Sequence, residues 1–174
     1  MTDERILVKR ADKKAFWGVP GSGSSKTFTR MRGFTDFSGS KNPKEYSRQY
    51  VDEAFEQTDV TGYSPSWSFG FDEYTNDPVL TDVVDIIDNE KIGTDAVREI
   101  VFVNFSKPTS NGFEAVKRSF SVIADSEGGG TDAYTYSGNL KVKSASIFGV
   151  ATILTPDDGD VDNVETISFT EKTA

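Results

Sequence analysis

The sequence predicts a mainly β domain, a β-sandwich or barrel with a single flanking α-helix at about residues 78–89. Three observations carry that expectation. Most of the apolar signal has period two and is rich in aromatic and β-branched residues, with 13 Phe and 6 Tyr in 174 residues. Gly, Pro and Asn-Gly punctuation separates the alternating runs. One segment alone switches to helical spacing. At 19.1 kDa the chain falls in the range of one domain with its own apolar core, so residues 1–174 are read as a single unit.

In chain order, Ile6 to Lys9 and Thr27 to Phe37 are weak strand candidates. Residues 18–26, Gly18-Val19-Pro20-Gly21-Ser22-Gly23-Ser24-Ser25-Lys26, have linker composition and are expected to be a flexible loop. Residues 38–64 are long and polar, with Tyr46, Tyr50, Val51 and Phe55 scattered among charges, and look like neither strand nor helix. A loop that long in a small β-domain usually serves a function. Residues 65–74 alternate cleanly, with Trp67, Phe69 and Phe71 on one face and Ser66, Ser68, Gly70 and Asp72 on the other.

From Asn76 to Asn89 the apolar positions 79, 80, 83, 84 and 87 follow helical spacing. Asp77 is placed as N-cap and Pro78 at the first helical position, where its fixed φ and missing N–H cost nothing. The helix should end before Gly93, packing one stripe on the sheet and turning Asp82, Asp85 and Asp88 outward. Arg98 to Phe105 and Phe113 to Asp125 read as strands joined through Ser106–Gly112, with Pro108 and Asn111-Gly112 supplying turn chemistry. After Gly128-Gly129-Gly130, Asn139 to Leu154 reads as one strand with Leu140, Val142, Phe148 and Val150 on one parity. Gly149 there marks a bulge or a close backbone approach. Pro156-Asp157-Asp158-Gly159 ends that run, and Val164 to Thr170 supplies a last strand, for seven or so in all.

Composition removes much chemistry. The chain has no Cys and no His, which excludes disulfides, thiolate nucleophiles, Ser-His-Asp sites and His- or Cys-ligated metals. Carboxylate chemistry and oxygen-ligated cation sites survive. No run approaches the roughly 18 apolar residues of a membrane span, and Met1-Thr2-Asp3-Glu4-Arg5 is acidic where a signal peptide is basic, so cytosolic synthesis is expected. The net charge is -9. Residues 1–50 hold 11 Lys and Arg against 5 Asp and Glu, leaving 8 against 23 in residues 51–174. That split suggests either head-to-tail complementarity between copies or ordinary solvated faces. The overall acidity argues against tight binding to nucleic-acid phosphates.

Three motifs fail on inspection. Gly21 to Thr27 resembles a phosphate loop, but the pattern needs glycine where Pro20 and Ser25 stand. Asp158-Gly159-Asp160-Val161-Asp162-Asn163 offers alternating carboxylates, yet an EF-hand would need its glycine at Asn163 and its Glu at Phe169. A solvated acidic turn fits better, with a weak cation site over Asp157–Asp162 left open. Asp72 and Glu73 are among many acids that chance brings close, and nothing singles out a glycosidase pair. Trp67 fits a core stripe. Trp17, beside the flexible loop, is open between core and sugar-stacking platform.

The run Gly39-Ser40-Lys41-Asn42-Pro43-Lys44-Glu45-Tyr46-Ser47-Arg48-Gln49-Tyr50-Val51-Asp52-Glu53, followed by Asp59-Val60-Thr61-Gly62-Tyr63-Ser64-Pro65-Ser66-Trp67-Ser68-Phe69, resembles the major tail proteins of siphophages infecting Gram-positive bacteria. The order of Asn76-Asp77-Pro78, Glu99-Ile100-Val101 and Phe148-Gly149-Val150-Ala151-Thr152 is similar too, so the likeness covers essentially the whole chain.

The resemblance implies a non-enzymatic tail tube protein without cofactor. Six copies form a ring, and rings stack around the tape measure protein into a conduit for DNA, closed off by tail terminator and distal tail proteins. The protein would reside in the virion after assembly in the host cytoplasm. The 38–64 loop becomes the inter-ring contact, with Lys44, Tyr46, Arg48, Tyr50, Asp52 and Glu53 as candidate inter-subunit residues. The aromatic-rich strands also admit a carbohydrate- or receptor-binding β-sandwich, and the acids admit a carboxylate-dependent hydrolase as a third reading.

Overall fold

Strand pairing accounts for most of the architecture. The computed structural model describes residues 4–19, 26–160 and 164–173. In chain order its strands are β1 (Lys13–Trp17), β2 (Phe28–Arg30), β3 (Phe34–Ser40), β4 (Pro43–Arg48), β5 (Gln57–Tyr63), β6 (Ser66–Asp72), β7 (Val97–Thr109), β8 (Gly112–Glu127), β9 (Thr135–Val142), β10 (Ile147–Thr155) and β11 (Thr166–Glu171). The helix α1 (Pro78–Asp88) lies between β6 and β7. The main sheet runs β10-β11-β2-β1-β7-β8-β9-β6-β3, and β10 also pairs with β8. That extra pairing closes β10, β11, β2, β1, β7 and β8 into a six-stranded barrel, and β9, β6 and β3 extend the sheet outward from β8.

Two cores result, and β1 and β7 separate them. Phe16, Phe28, Val101, Val103, Ala115, Ala151 and Ile167 fill the barrel. On the other face Trp17, Ile100, Phe120 and Leu140 pack with Phe69, Phe71 and the helix residues Val79, Leu80, Val83 and Ile86. Strands walled by apolar material on both faces lose their polar alternation. Hence Ala15-Phe16-Trp17 and Ile100-Val101-Phe102-Val103 are continuous apolar runs, and the short β1 carries no periodic signal at all. Trp17 is wholly buried, which decides it as core.

The helix forms as its sequence dictates. The Asp77 carboxylate accepts from the backbone N–H of Val79 at 2.9 Å and Leu80 at 3.1 Å, and Pro78 opens the first turn. The expected outward face is corrected at Asp82. Its carboxylate accepts from the Trp17 indole Nε1 at 2.7 Å and from Arg98 Nε at 2.7 Å and Nη2 at 3.0 Å, so it pins the helix to β1 and β7. Asp88 accepts from the Tyr136 hydroxyl at 3.0 Å, while Asp85 pairs with Lys91 near the surface. Burial, followed by the Asp88 hydrogen bond, pushes the Tyr136 phenol well above its ordinary pKa.

Several expected boundaries move. The β7–β8 hairpin closes on Thr109↔Gly112, so Pro108 lies within β7 after an irregularity that follows Asn104. The run 139–154 is two strands: β9 pairs with β6 and β8, β10 with β8 and β11. Between them Ser144 bridges to β8, accepting from the Ser119 N–H through Oγ and from Arg118 Nε through its carbonyl. The side chains change allegiance across that break. Leu140 faces the helix-side core, Ala151 the barrel, and Phe148 is 65% exposed. Gly149 is a close approach, since a Cβ there would sit 2.2 Å from the Thr170 carbonyl oxygen. Thr27–Phe37 likewise divides into β2 and β3, and the described residues of Ile6–Lys9 form no strand. Of the 18–26 stretch, residues 20–25 lie outside the described residues; Gly18 is held by its N–H to the Glu99 carbonyl at 2.9 Å, and Lys26 pairs with Glu99.

Candidate assembly interface

The stretch 38–64, expected to be irregular, is instead the end of β3 and a two-stranded arm. β4 and β5 pair only with each other, in register from Pro43↔Tyr63 to Arg48↔Gln57 with a shift after Lys44. Neither strand has a buried residue, and an isolated hairpin of this kind is only marginally stable in water. Apolar alternation marks a strand only where one of its faces is packed. An element solvated on both faces does not produce it.

The arm has a defined neck. The Ser64 N–H donates to the Asn42 carbonyl at 3.1 Å, and Asn42 Nδ2 returns a hydrogen bond to the Ser64 carbonyl at 3.0 Å. Along the ladder Ser47 Oγ and Thr58 Oγ1 meet at 2.9 Å. At the tip the Glu53 N–H reaches the Tyr50 carbonyl at 3.1 Å, and Gln57 Nε2 donates to the Glu53 carboxylate at 2.6 Å. Of the six residues singled out from sequence, Lys44, Tyr46 and Arg48 alternate along one face of β4, whereas Tyr50, Asp52 and Glu53 belong to the tip. The tip also carries Val51, fully exposed, and Phe55, 81% exposed, beside Glu56. With Tyr63 and Val60 added, the arm holds the largest gathering of exposed apolar side chains in the described chain. Contiguous apolar exposure of this kind is the composition expected of an interaction surface.

Two further surfaces are unpartnered. β3 ends the main sheet, so its outer edge is paired with no strand among the described residues. Ile6 and Leu7 precede the barrel, both highly exposed.

The overall fold also occurs in a chain of a solved particle. The structure matches a chain of the tail of an empty GTA particle, determined by helical refinement with C6 symmetry. The TM-score is 0.60 at 14% identity, over 82% of this chain and 98% of that one. The chain shares its fold with that tail chain. A weaker likeness is to a chain of the six-fold symmetrised anti-feeding prophage baseplate, with a TM-score of 0.45, 7% identity, and 86% and 98% of the two chains covered. No protein-family profile matches the sequence, and no curated protein matches it.

The remaining sequence candidates resolve simply. Asp157, in the acidic turn, pairs with Arg30 and accepts from the Gly159 N–H at 3.2 Å. That hydrogen bond, and then Arg30, hold its carboxyl below the usual range. Residues 161–163 of the same turn lie outside the described residues. Among the described residues no three metal-ligating side chains converge, and no helix is long and apolar enough to cross a membrane. Trp67 is half-buried and stacks against Phe37 at 5.0 Å and Phe102 at 4.8 Å between ring centroids, with those two rings 6.4 Å from each other.

Proposed function

We propose that this protein is the structural subunit of a phage tail tube, of the siphophage type, whose copies form hexameric rings that stack into a conduit for DNA. The observation that carries the reading is the self-paired arm with its exposed apolar tip, mounted on a tail-tube fold. A solitary hairpin and a free β3 edge are both liabilities in a monomer, and repeated contact between copies removes both. Sixfold closure is drawn from the C6 symmetry of the tail whose chain shares the fold.

In this reading the arm, with Lys44, Tyr46, Arg48, Tyr50, Asp52 and Glu53, makes the inter-ring contact. The tape measure protein occupies the lumen, and terminator and distal tail proteins cap the ends. The subunit acts without catalysis, and its net charge of -9 favours a wall that repels DNA phosphates. It is assembled in the host cytoplasm and resides in the virion. The competing glycan-binding reading loses its best platform, because Trp17 is buried and bonded to Asp82.

Sedimentation velocity of the purified protein over a concentration series tests the proposal. Species far larger than a dimer are expected to grow with concentration. A monomer, or a dimer that grows no further at any concentration or salt, contradicts it.

A further inference from the structure

On the body of the domain, beside the neck of the arm, lies an open groove of about 930 Å³. This is near the top of the roughly 300–1,000 Å³ range of ligand pockets, so it has room for several side chains. Its floor is apolar and aromatic, with the stacked Phe37, Trp67 and Phe102 joined by the exposed Phe148. Gly39 sits opposite Trp67, and a Cβ there would fall 2.7 Å from the indole, so only glycine leaves that ring in place.

Around the floor stand Arg10, Lys13, Lys14, Lys41, Arg118 and Lys172, against Glu114 alone. Lys14 is matched by Glu165 at 3.2 Å. The other five cations form no ion pair among the described residues. Apolar rings ringed by unpaired cations suit an acidic segment that carries apolar anchors.

The arm tip has that chemistry. Residues 49–56 hold Tyr50, Val51 and Phe55 exposed beside Asp52, Glu53 and Glu56, with no Lys or Arg. A tip cannot reach the groove of its own chain. Lys41 lines the groove and Asn42 forms the neck, while β4 carries the tip away by about 3.3 Å per residue, or roughly 20 Å over its length. We infer that the groove is the receptor for the arm tip of a second copy of this chain, with Tyr50, Val51 or Phe55 laid on the Trp67 stack and Asp52 and Glu56 facing Lys41 and Lys172. This specifies the contact within the self-assembly proposed above and rests on that reading. Arm and groove are different surfaces, so the contact repeats from copy to copy and propagates. It also accounts for the basic N-terminal third, because four of the six groove cations come from residues 1–50.

A charge swap tests the inference. All four residues used are exposed, and circular dichroism with thermal melting should show every variant folded like the wild type. The arm variant D52K/E56K and the groove variant K41E/K172E should each raise the concentration needed for assembly by about 100-fold, since like charges then face each other. The quadruple variant should assemble again, and so should an equimolar mixture of the two doubles, in which each reversed arm meets a reversed groove. Wild type that assembles while neither double is impaired, or impaired doubles that neither combination rescues, overturns the groove assignment and leaves self-assembly standing. Wild type that never assembles overturns the functional reading and the assignment with it.

Discussion

Replacing Pro43–Tyr63 by two glycines between Asn42 and Ser64 is expected to yield a folded monomer that no longer assembles. The neck makes the excision clean. Asn42 and Ser64 already exchange hydrogen bonds, so a short bridge spans the gap without disturbing the pairing of β3 with β6. No buried residue is removed, so stability should change by less than about 1 kcal/mol, the scale of surface substitutions and modest loop changes. Assembly should suffer far more, because Tyr50, Val51 and Phe55 leave together and a single buried interface anchor is worth about 2 kcal/mol or more. A rise of at least about 100-fold in the assembly concentration follows. Denaturant unfolding and sedimentation velocity measure the two halves. An arm-less protein that forms wild-type assemblies at wild-type concentrations would remove the arm from the account.

The largest single-residue effect on stability should come from Asp82→Ala. Asp82 and Arg98 side chains are each 10% exposed, and the carboxylate bonds both the guanidinium and the Trp17 indole. Alanine leaves a cation without its counter-charge and an indole N–H without its acceptor, with the helix no longer fastened to β1 and β7. A loss of about 3–5 kcal/mol is expected, the range for breaking one side of a buried pair. Asp82→Asn keeps one hydrogen-bond acceptor and should lose roughly half as much. Both are read by chemical denaturation, with Trp fluorescence reporting the indole environment. A loss under about 1 kcal/mol for Asp82→Ala would mean that the helix is held by its apolar stripe alone.

What the sequence revealed follows the strength of one-sided burial. β6 is legible because only one of its faces is packed, and Trp67, Phe69 and Phe71 mark it. The helix is legible from Asp77, Pro78 and the stripe of Val79, Leu80 and Val83. Elements that depart from one-sided burial are the ones missed. β1 is buried on both faces and only five residues long, and β4 and β5 are buried on neither.

The break at Ser144 depends on β8 changing partners, a tertiary event that leaves apolar alternation almost intact across 139–154. Asp82 was placed outward by helical phase, yet its partners come from residues 17 and 98. The functional surface was half legible. The length and polarity of 38–64 marked the arm, but neither the pairing of β4 with β5 nor the neck at Asn42 and Ser64. The groove was invisible because it gathers Arg10, Lys41, Arg118 and Lys172 from four separate stretches of chain.

Electron microscopy of the purified, concentrated protein tests the central claim most directly. Tubes of stacked rings with six-fold end views are predicted, with each arm reaching from its own ring to the body of a subunit in the next. Fields of single particles the size of one 19.1 kDa chain, at every concentration and ionic strength tried, would contradict it.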